Sequence, residues 1–342
     1  MDFQNKYPSL GPGFEPNNLK EKKGIPIPIL LFLLASLILA GISMTRFPES
    51  LSEYKVYRRA EERIHAGETA DALQDLFDVL EHHPNSLPLI LELMDLSMES
   101  GYYDQAAYVF NEYLVGKNLT DSQYARMMRY SRRLDSYYMT YDAIDSLMVQ
   151  AEAAIGDDAS EEAIEQQAVW LRSEVSRLHD DDAQDQAFLY YYDALFAESQ
   201  EKQYDFLKKA YEEDPELFDV RVLLGNAERS RGNFTVAYEY LDAALLKESK
   251  DAGALRGLAV LAMLEEEPEK GLILAKKAYH LNPDGLYVRD TYLVALHVNG
   301  RAEEEKALIK EIENVEGSLE EDTRQLLEGQ LSLKDFYMEM TD

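Results

Sequence analysis

The sequence predicts an all-α chain: one membrane-spanning helix, then a solenoid of helix–turn–helix units repeating every 34 residues. Three observations predict it. Residues Ile25 to Met44 form a run of 20 without a charge. Beyond that run, glycine, alanine, leucine and proline recur in a single 34-residue register. Helix-favouring residues dominate the composition, and 17 Gly and 11 Pro among 342 residues serve as punctuation.

In chain order, residues 1–24 carry YPSLGPGFEPNN at their centre and read as a flexible tail. A transmembrane helix is expected over 25–45. A helix of about 20 residues reaches about 30 Å, the thickness of the hydrocarbon core of a bilayer. Pro26 and Pro28 fall in its first turn, where missing N–H donors cost little. The run is longer than the core of a cleaved signal peptide, and Ile38-Leu39-Ala40 places a bulky residue where cleavage needs a small one. Lys20, Lys22 and Lys23 precede it, while Arg46 alone follows directly. The positive-inside tendency then puts the tail in the cytoplasm and the remainder outside, as a single-pass membrane protein.

The repeat itself occupies 53–120 and 184–319, read as two and four units. Gly67 and Gly101 are 34 residues apart, as are Ala72 and Ala106. Ala210, Ala244 and Ala278 keep that spacing, as do Leu224, Leu258 and Tyr292, while Gly232 and Gly300 lie two periods apart. Glycine permits a left-handed turn between helices, and Pro84, Pro215 and Pro283 stop each second helix. Leu223, Leu224, Leu241 and Leu245 recur at helical steps, so each hairpin has an apolar stripe that only a stacked neighbour covers. Residues 121–183 break the register and read as a degenerate unit, with a weak hairpin over Gln123–Ala153, plus an extra helix from Ser160. Residues 320–342 read as a capping helix.

In Phe218–Asp251 the matching residues are Leu224-Gly225, Gly232, Ala237, Leu241 and Ala244; in Ala252–Gly285 they are Leu258-Ala259, Gly271, Ala275, Ala278 and Pro283. This pattern resembles the tetratricopeptide repeat family, although Arg221 and Leu255 stand where that family has an early aromatic residue. The resemblance implies a right-handed superhelix that binds proteins or peptides in its concave groove. Carried onto this chain, the groove-lining places give Phe188, Tyr192 and Phe196, then Asn226 and Arg229, then Arg256, Val260 and Met263. Three aromatics at four-residue steps beside two arginines suit a peptide with an apolar side chain and a carboxylate. Asn226 stands at the asparagine place of the carboxylate clamp that some members use, but Val222 replaces the clamp lysine.

Charge and chemistry narrow the function further. The formal net charge is -31, from 34 basic and 65 acidic residues, and the segment up to Arg46 is itself net basic. The acidic excess therefore lies in the repeat body, which disfavours nucleic acid as a partner. The absence of cysteine removes disulfides, thiolate nucleophiles and Cys-based metal sites. The sequence carries no phosphate-cradling loop, nucleophile elbow or zinc-protease motif. Asp180-Asp181-Asp182 with Asp185 lacks the glycine and distal glutamate of an EF-hand and reads as a polar turn. The expectation is a non-enzymatic scaffold or assembly factor with no cofactor, no metal and no small-molecule substrate. Its expected partners are proteins or peptides, with the membrane reached through 25–45. A self-associating envelope protein and an accessory subunit of a membrane enzyme or sensor are the alternatives.

Overall fold

The computed structural model describes residues 53–155, 160–217, 219–316 and 318–338. Among them the regular structure is helical, with one isolated antiparallel bridge between Glu68 and Glu248. The expected single-pass membrane placement is corrected here: no helix among the described residues is long and apolar enough to cross a membrane. Segments 1–24 and 25–45, on which that expectation rested, lie outside the described residues.

Four helices form the first two hairpins: α1 (53–65) with α2 (Thr69–His82), and α3 (Leu87–Glu99) with α4 (Tyr103–Val109), the last extended by a π turn over Phe110–Leu114. Two longer helices follow, α5 (Asp121–Ala154) and α6 (Glu161–Leu178). Four more hairpins then run in sequence. They are α7 (Gln186–Leu195) with α8 (Gln200–Glu213), α9 (Val220–Ser230) with α10 (Phe234–Lys247), α11 (Ala252–Leu264) with α12 (Pro268–Leu281), and α13 (Leu286–Val298) with α14 (Ala302–Glu316). Two short helices close the chain, α15 (Glu321–Leu327) and α16 (Leu333–Tyr337).

Five hairpin turns close with the same hydrogen bond, in which an N–H just past the helix reaches back five residues. The pairs are Glu68 to Arg63 (2.8 Å), Tyr102 to Ser97 (2.9 Å), Asn233 to Glu228 (2.8 Å), Glu267 to Ala262 (2.8 Å) and Arg301 to Leu296 (2.9 Å). This bond requires a left-handed residue just before the donor. Glycine supplies it four times, and Glu266 adopts φ +65° at the equivalent place in the α11/α12 turn. The α7/α8 turn is made otherwise, with Ser199 accepting from the Lys202 N–H at 3.3 Å as the cap of α8. Within hairpins, small residues set the helix spacing. A Cβ on Gly225 would lie 2.7 Å from Leu241, and one on Gly271 would lie 2.5 Å from Met263.

Two expectations need correction. The weak hairpin over 123–153 is one continuous helix of 34 residues, about 50 Å long at 1.5 Å per residue. Thr120 and Gln123 form a capping box at its start, and no glycine or proline interrupts 121–154. The single capping helix expected over 320–342 is two helices among its described residues, parted at Gly329 (φ +72°) and restarted by Ser332, whose hydroxyl accepts from the Asp335 N–H at 3.1 Å.

The stacking is also not one-dimensional. The turn after α1 abuts the end of α10: the Ser249 N–H donates to the Gly67 carbonyl at 2.6 Å, and the Thr69 hydroxyl to the Lys247 carbonyl at 2.6 Å. Lys250 adds an ion pair to Asp71. One repeat later, Gly101 lies against the carbonyl of Glu216, just beyond α8. The hairpins of the first half thus lie beside those of the second in reverse order.

α5 and α6 make this return possible. They leave and come back to one point, where Arg133 of α5 pairs with Asp185, the cap of α7, and with Asp214 at the end of α8. Its guanidinium also donates to the Tyr103 hydroxyl at 3.0 Å, and that hydroxyl donates to Asp214. Burial alone would lower the Arg133 value, but Asp185, Tyr103 and Asp214 together raise it above the ordinary one. Removing one member of this part-buried set leaves a charge without its partner, so the knot holds α4, α5, α7 and α8 in register. The largest apolar cluster follows it, running from Ala60 and Leu76 through Ile90, Leu114, Tyr137 and Phe188 to Leu224. A second cluster occupies α11 to α16, from Ala259 to Tyr337.

Candidate functional site

The first helices of three successive hairpins, α9, α11 and α13, lie side by side, where the sequence analysis expects a groove. Two of the expected residues meet on it. Arg229 closes α9, where a cation also compensates the exposed carbonyls of the last turn, and Arg256 lies in the first half of α11. Arg229 is 6% exposed. Arg256 donates from Nε to the Tyr287 carbonyl at 3.0 Å and to the Thr291 hydroxyl at 3.2 Å, both on α13. Its guanidinium lies 5.3 Å from the centre of the Tyr287 ring. Burial holds the Arg256 value below the ordinary one.

The face is occupied. α16 lies across it, with Tyr337 between the two arginines and only 8% exposed. Arg229 donates through Nη1 to the main-chain carbonyl of Tyr337 and stands 5.7 Å from the centre of its ring. Burial pushes the Tyr337 hydroxyl up to about 12, with Arg256 and Arg229 pulling partly back. Phe336 meets Tyr337 edge-on at 4.7 Å, and a Cβ on Gly232 would be 3.5 Å from Met338. Beside this segment a cleft of about 340 Å³ stays open, bordered by Arg229, Arg256, Tyr287, Asp290 and Thr323.

The other expected groove residues lie elsewhere, which corrects the aromatic wall. Phe188 is fully buried, stacked on Tyr137 at 5.1 Å and 13°, with Tyr192 edge-on at 5.1 Å. Tyr192 and Phe196 are part-buried against Ile144, Leu171, Val175 and Leu189, beneath α5 and α6. The long helix takes this aromatic face as its packing surface, and a sequence that reads as a hairpin there hides the fact. Val260 (0%) and Met263 (3%) belong to the core shared by α11, α12 and α13. Asn226 turns inward: its Nδ2 donates to the Val222 carbonyl at 2.9 Å, and its buried Oδ1 faces Gly257 without a hydrogen-bond partner.

The sequence reading missed Tyr337, Tyr287 and Thr291. The available signal was the Phe336-Tyr337-Met338 cluster, set beyond a glycine and a serine cap and therefore free to leave the line of α15. Elsewhere, a cleft of about 700 Å³ lies between α6, α7 and α8. There His179 contacts Asp193 at 2.8 Å and Gln186 at 2.7 Å. Among the described residues no group of three or more His, Asp or Glu is placed to share a metal ion. Asp185, one of the acidic residues noted near 180, is committed to Arg133 and to the α7 cap.

No family model and no curated protein matches the sequence. Among solved structures the chain is similar to a tetratricopeptide repeat protein from Parabacteroides merdae, at 11% identity over 83% of this chain and 99% of that one, with a TM-score of 0.39. It is similar to yeast Tom70 at 12% identity over 76% of this chain, with a TM-score of 0.37, and spans 62% of that chain's length. The TPR2AB domain of yeast Sti1 in its pHSP90 complex matches at 13% identity over 84% and 98% of the two chains, with a TM-score of 0.23.

Proposed function

We propose that the chain is a protein-binding scaffold, and that the face formed by α9, α11 and α13 is where a partner polypeptide docks. One observation carries this reading. On that face Arg229 holds a polypeptide segment by a main-chain carbonyl, which any peptide offers, and by the aromatic ring of the same residue, while Arg256 stands beside it on α11. Guanidinium groups in partly desolvated settings are strong, orienting donors, and arginine beside tyrosine is the composition of interaction hot spots.

The test places a photo-crosslinking residue at Tyr287, which is 69% exposed beside the cleft, and in a second protein at Ile273, 61% exposed on α12. The expected outcome is partner crosslinking from position 287 and little from 273. Arg229→Ala with Arg256→Ala should lower the yield from 287 by about tenfold, the loss of roughly 1.4 kcal/mol of binding. Equal crosslinking from the two positions, or a yield unchanged by the arginine variants, would refute the assignment.

A further inference from the structure

We infer that α16 is a built-in occupant of the α9–α11–α13 face, seated where the partner binds, and that the partner presents an aromatic side chain on a short helical turn. The inference rests on the proposed docking face and deepens it.

α16 has five residues, far below the length at which a helix persists in water. Gly329 and the Ser332 cap separate it along the chain from α15, which packs on α13 by its own buried residues, Thr323 and Leu326. The helical form of 333–337 is thus a consequence of docking. Its anchor is Tyr337, whose ring is sandwiched by the face and whose carbonyl is taken by Arg229. These are the terms a separate peptide would use.

The seat also reads the local chain geometry. Arg229 takes the carbonyl of the same residue whose ring it covers, so it recognises ring and backbone together. An extended strand would carry ring and carbonyl in different relative directions, whereas one turn of helix sets them as α16 does. The open cleft beside Tyr337 leaves space for residues flanking such a turn.

A tethered segment competes at an effective concentration of about millimolar, so it outcompetes a free peptide of similar affinity. When the open face is the minor state, apparent affinity falls by the open fraction. Releasing α16 should therefore strengthen capture about tenfold or more, without any change in the face itself.

The experiment uses the full chain, its Tyr337→Ala variant, and Tyr337→Ala combined with Arg229→Ala. The probe is a fluorescent peptide of residues 331–338, LSLKDFYM, followed by anisotropy, with circular dichroism confirming that each protein keeps its helical content. The expected result is binding to Tyr337→Ala at least tenfold tighter than to the natural chain, and loss of that gain when Arg229 is also removed. Equal binding to the natural chain and to Tyr337→Ala, or no binding to either, would overturn the inference. Partner crosslinking through position 287 is then measured in Tyr337→Ala. Crosslinking that persists at the natural level leaves the docking face intact and removes only the internal occupant, whereas none in either protein removes the face as well.

Discussion

Alanine at Gly101 should be far more damaging than alanine at Gly300, although both glycines do the same local work. Each ends the first helix of a hairpin in a left-handed conformation, at φ +73° and +63°. Around Gly300 an added Cβ meets nothing within 4 Å. The cost of Gly300→Ala is then the left-handed penalty alone, about 1–2 kcal/mol. At Gly101 the same Cβ would stand 2.2 Å from the carbonyl oxygen of Glu216, a main-chain atom 115 positions away. Backbone cannot rotate aside like a side chain, so the two halves must separate locally, at an overpacking cost of about 1–3 kcal/mol. The sum for Gly101→Ala is about 2–5 kcal/mol. Urea unfolding of both variants, followed by far-ultraviolet circular dichroism, measures the difference. Hydrogen exchange at 213–217 should quicken in Gly101→Ala only. Equal losses in the two variants would refute the side-by-side arrangement of the halves, because that arrangement is what sets Glu216 against Gly101.

Two further outcomes follow from single positions. Glu266 holds φ +65° where the other turns of this kind have glycine, so Glu266→Gly should stabilise the chain. The gain is about 0.5–1 kcal/mol once the entropy of glycine in the unfolded chain is subtracted, and a lowered urea midpoint would contradict it. His179 is raised above its ordinary 6.5 chiefly by its hydrogen bond to Asp193. Its contribution is fully present below about pH 6.5 and is lost as pH rises through the higher folded value. The stability difference between the natural chain and His179→Gln should therefore shrink from pH 6 to pH 9, and a difference that grows with pH would be the wrong sign.

The hairpin was legible because its rules are local. A glycine that must be left-handed, an alanine where helices touch and a proline past a helix end each act within a few residues, so they survive as a spacing of 34 in the sequence. Glu266, which fills that place in the α11/α12 turn, is passed over by a search for glycine. The path of the chain was not legible, because it depends on Arg133 finding Asp185 and Asp214, 52 and 81 positions further on. Nothing in a 34-residue period encodes such pairings. Groove residues fared according to their neighbours. Arg229 and Arg256 stand together because α9 and α11, the first helices of successive hairpins, lie side by side. Phe188, Tyr192 and Phe196 were misplaced because the register carries no information about α5, which lies over them.

The occupied face lies where two apolar clusters meet, and this explains why Arg229 matters more than its partner. α9 contributes Val220 and Leu224 to the cluster built on the first half of the chain, whereas α11 and α13 contribute Val260, Met263 and Leu293 to the other. Arg256 already has partners on α13, the Tyr287 carbonyl and the Thr291 hydroxyl, so it stays within one cluster whether or not anything is bound. Arg229 instead reaches from α9 to a segment that belongs to the other cluster, through Tyr337. Whatever fills the face therefore adds to the cluster of Val222, Leu258 and Leu261 that already joins α9 to α11, and Arg229 is the residue that ties it to α9. A segment held this way adds contacts between clusters as well as its own burial, and a partner that replaces α16 must supply both.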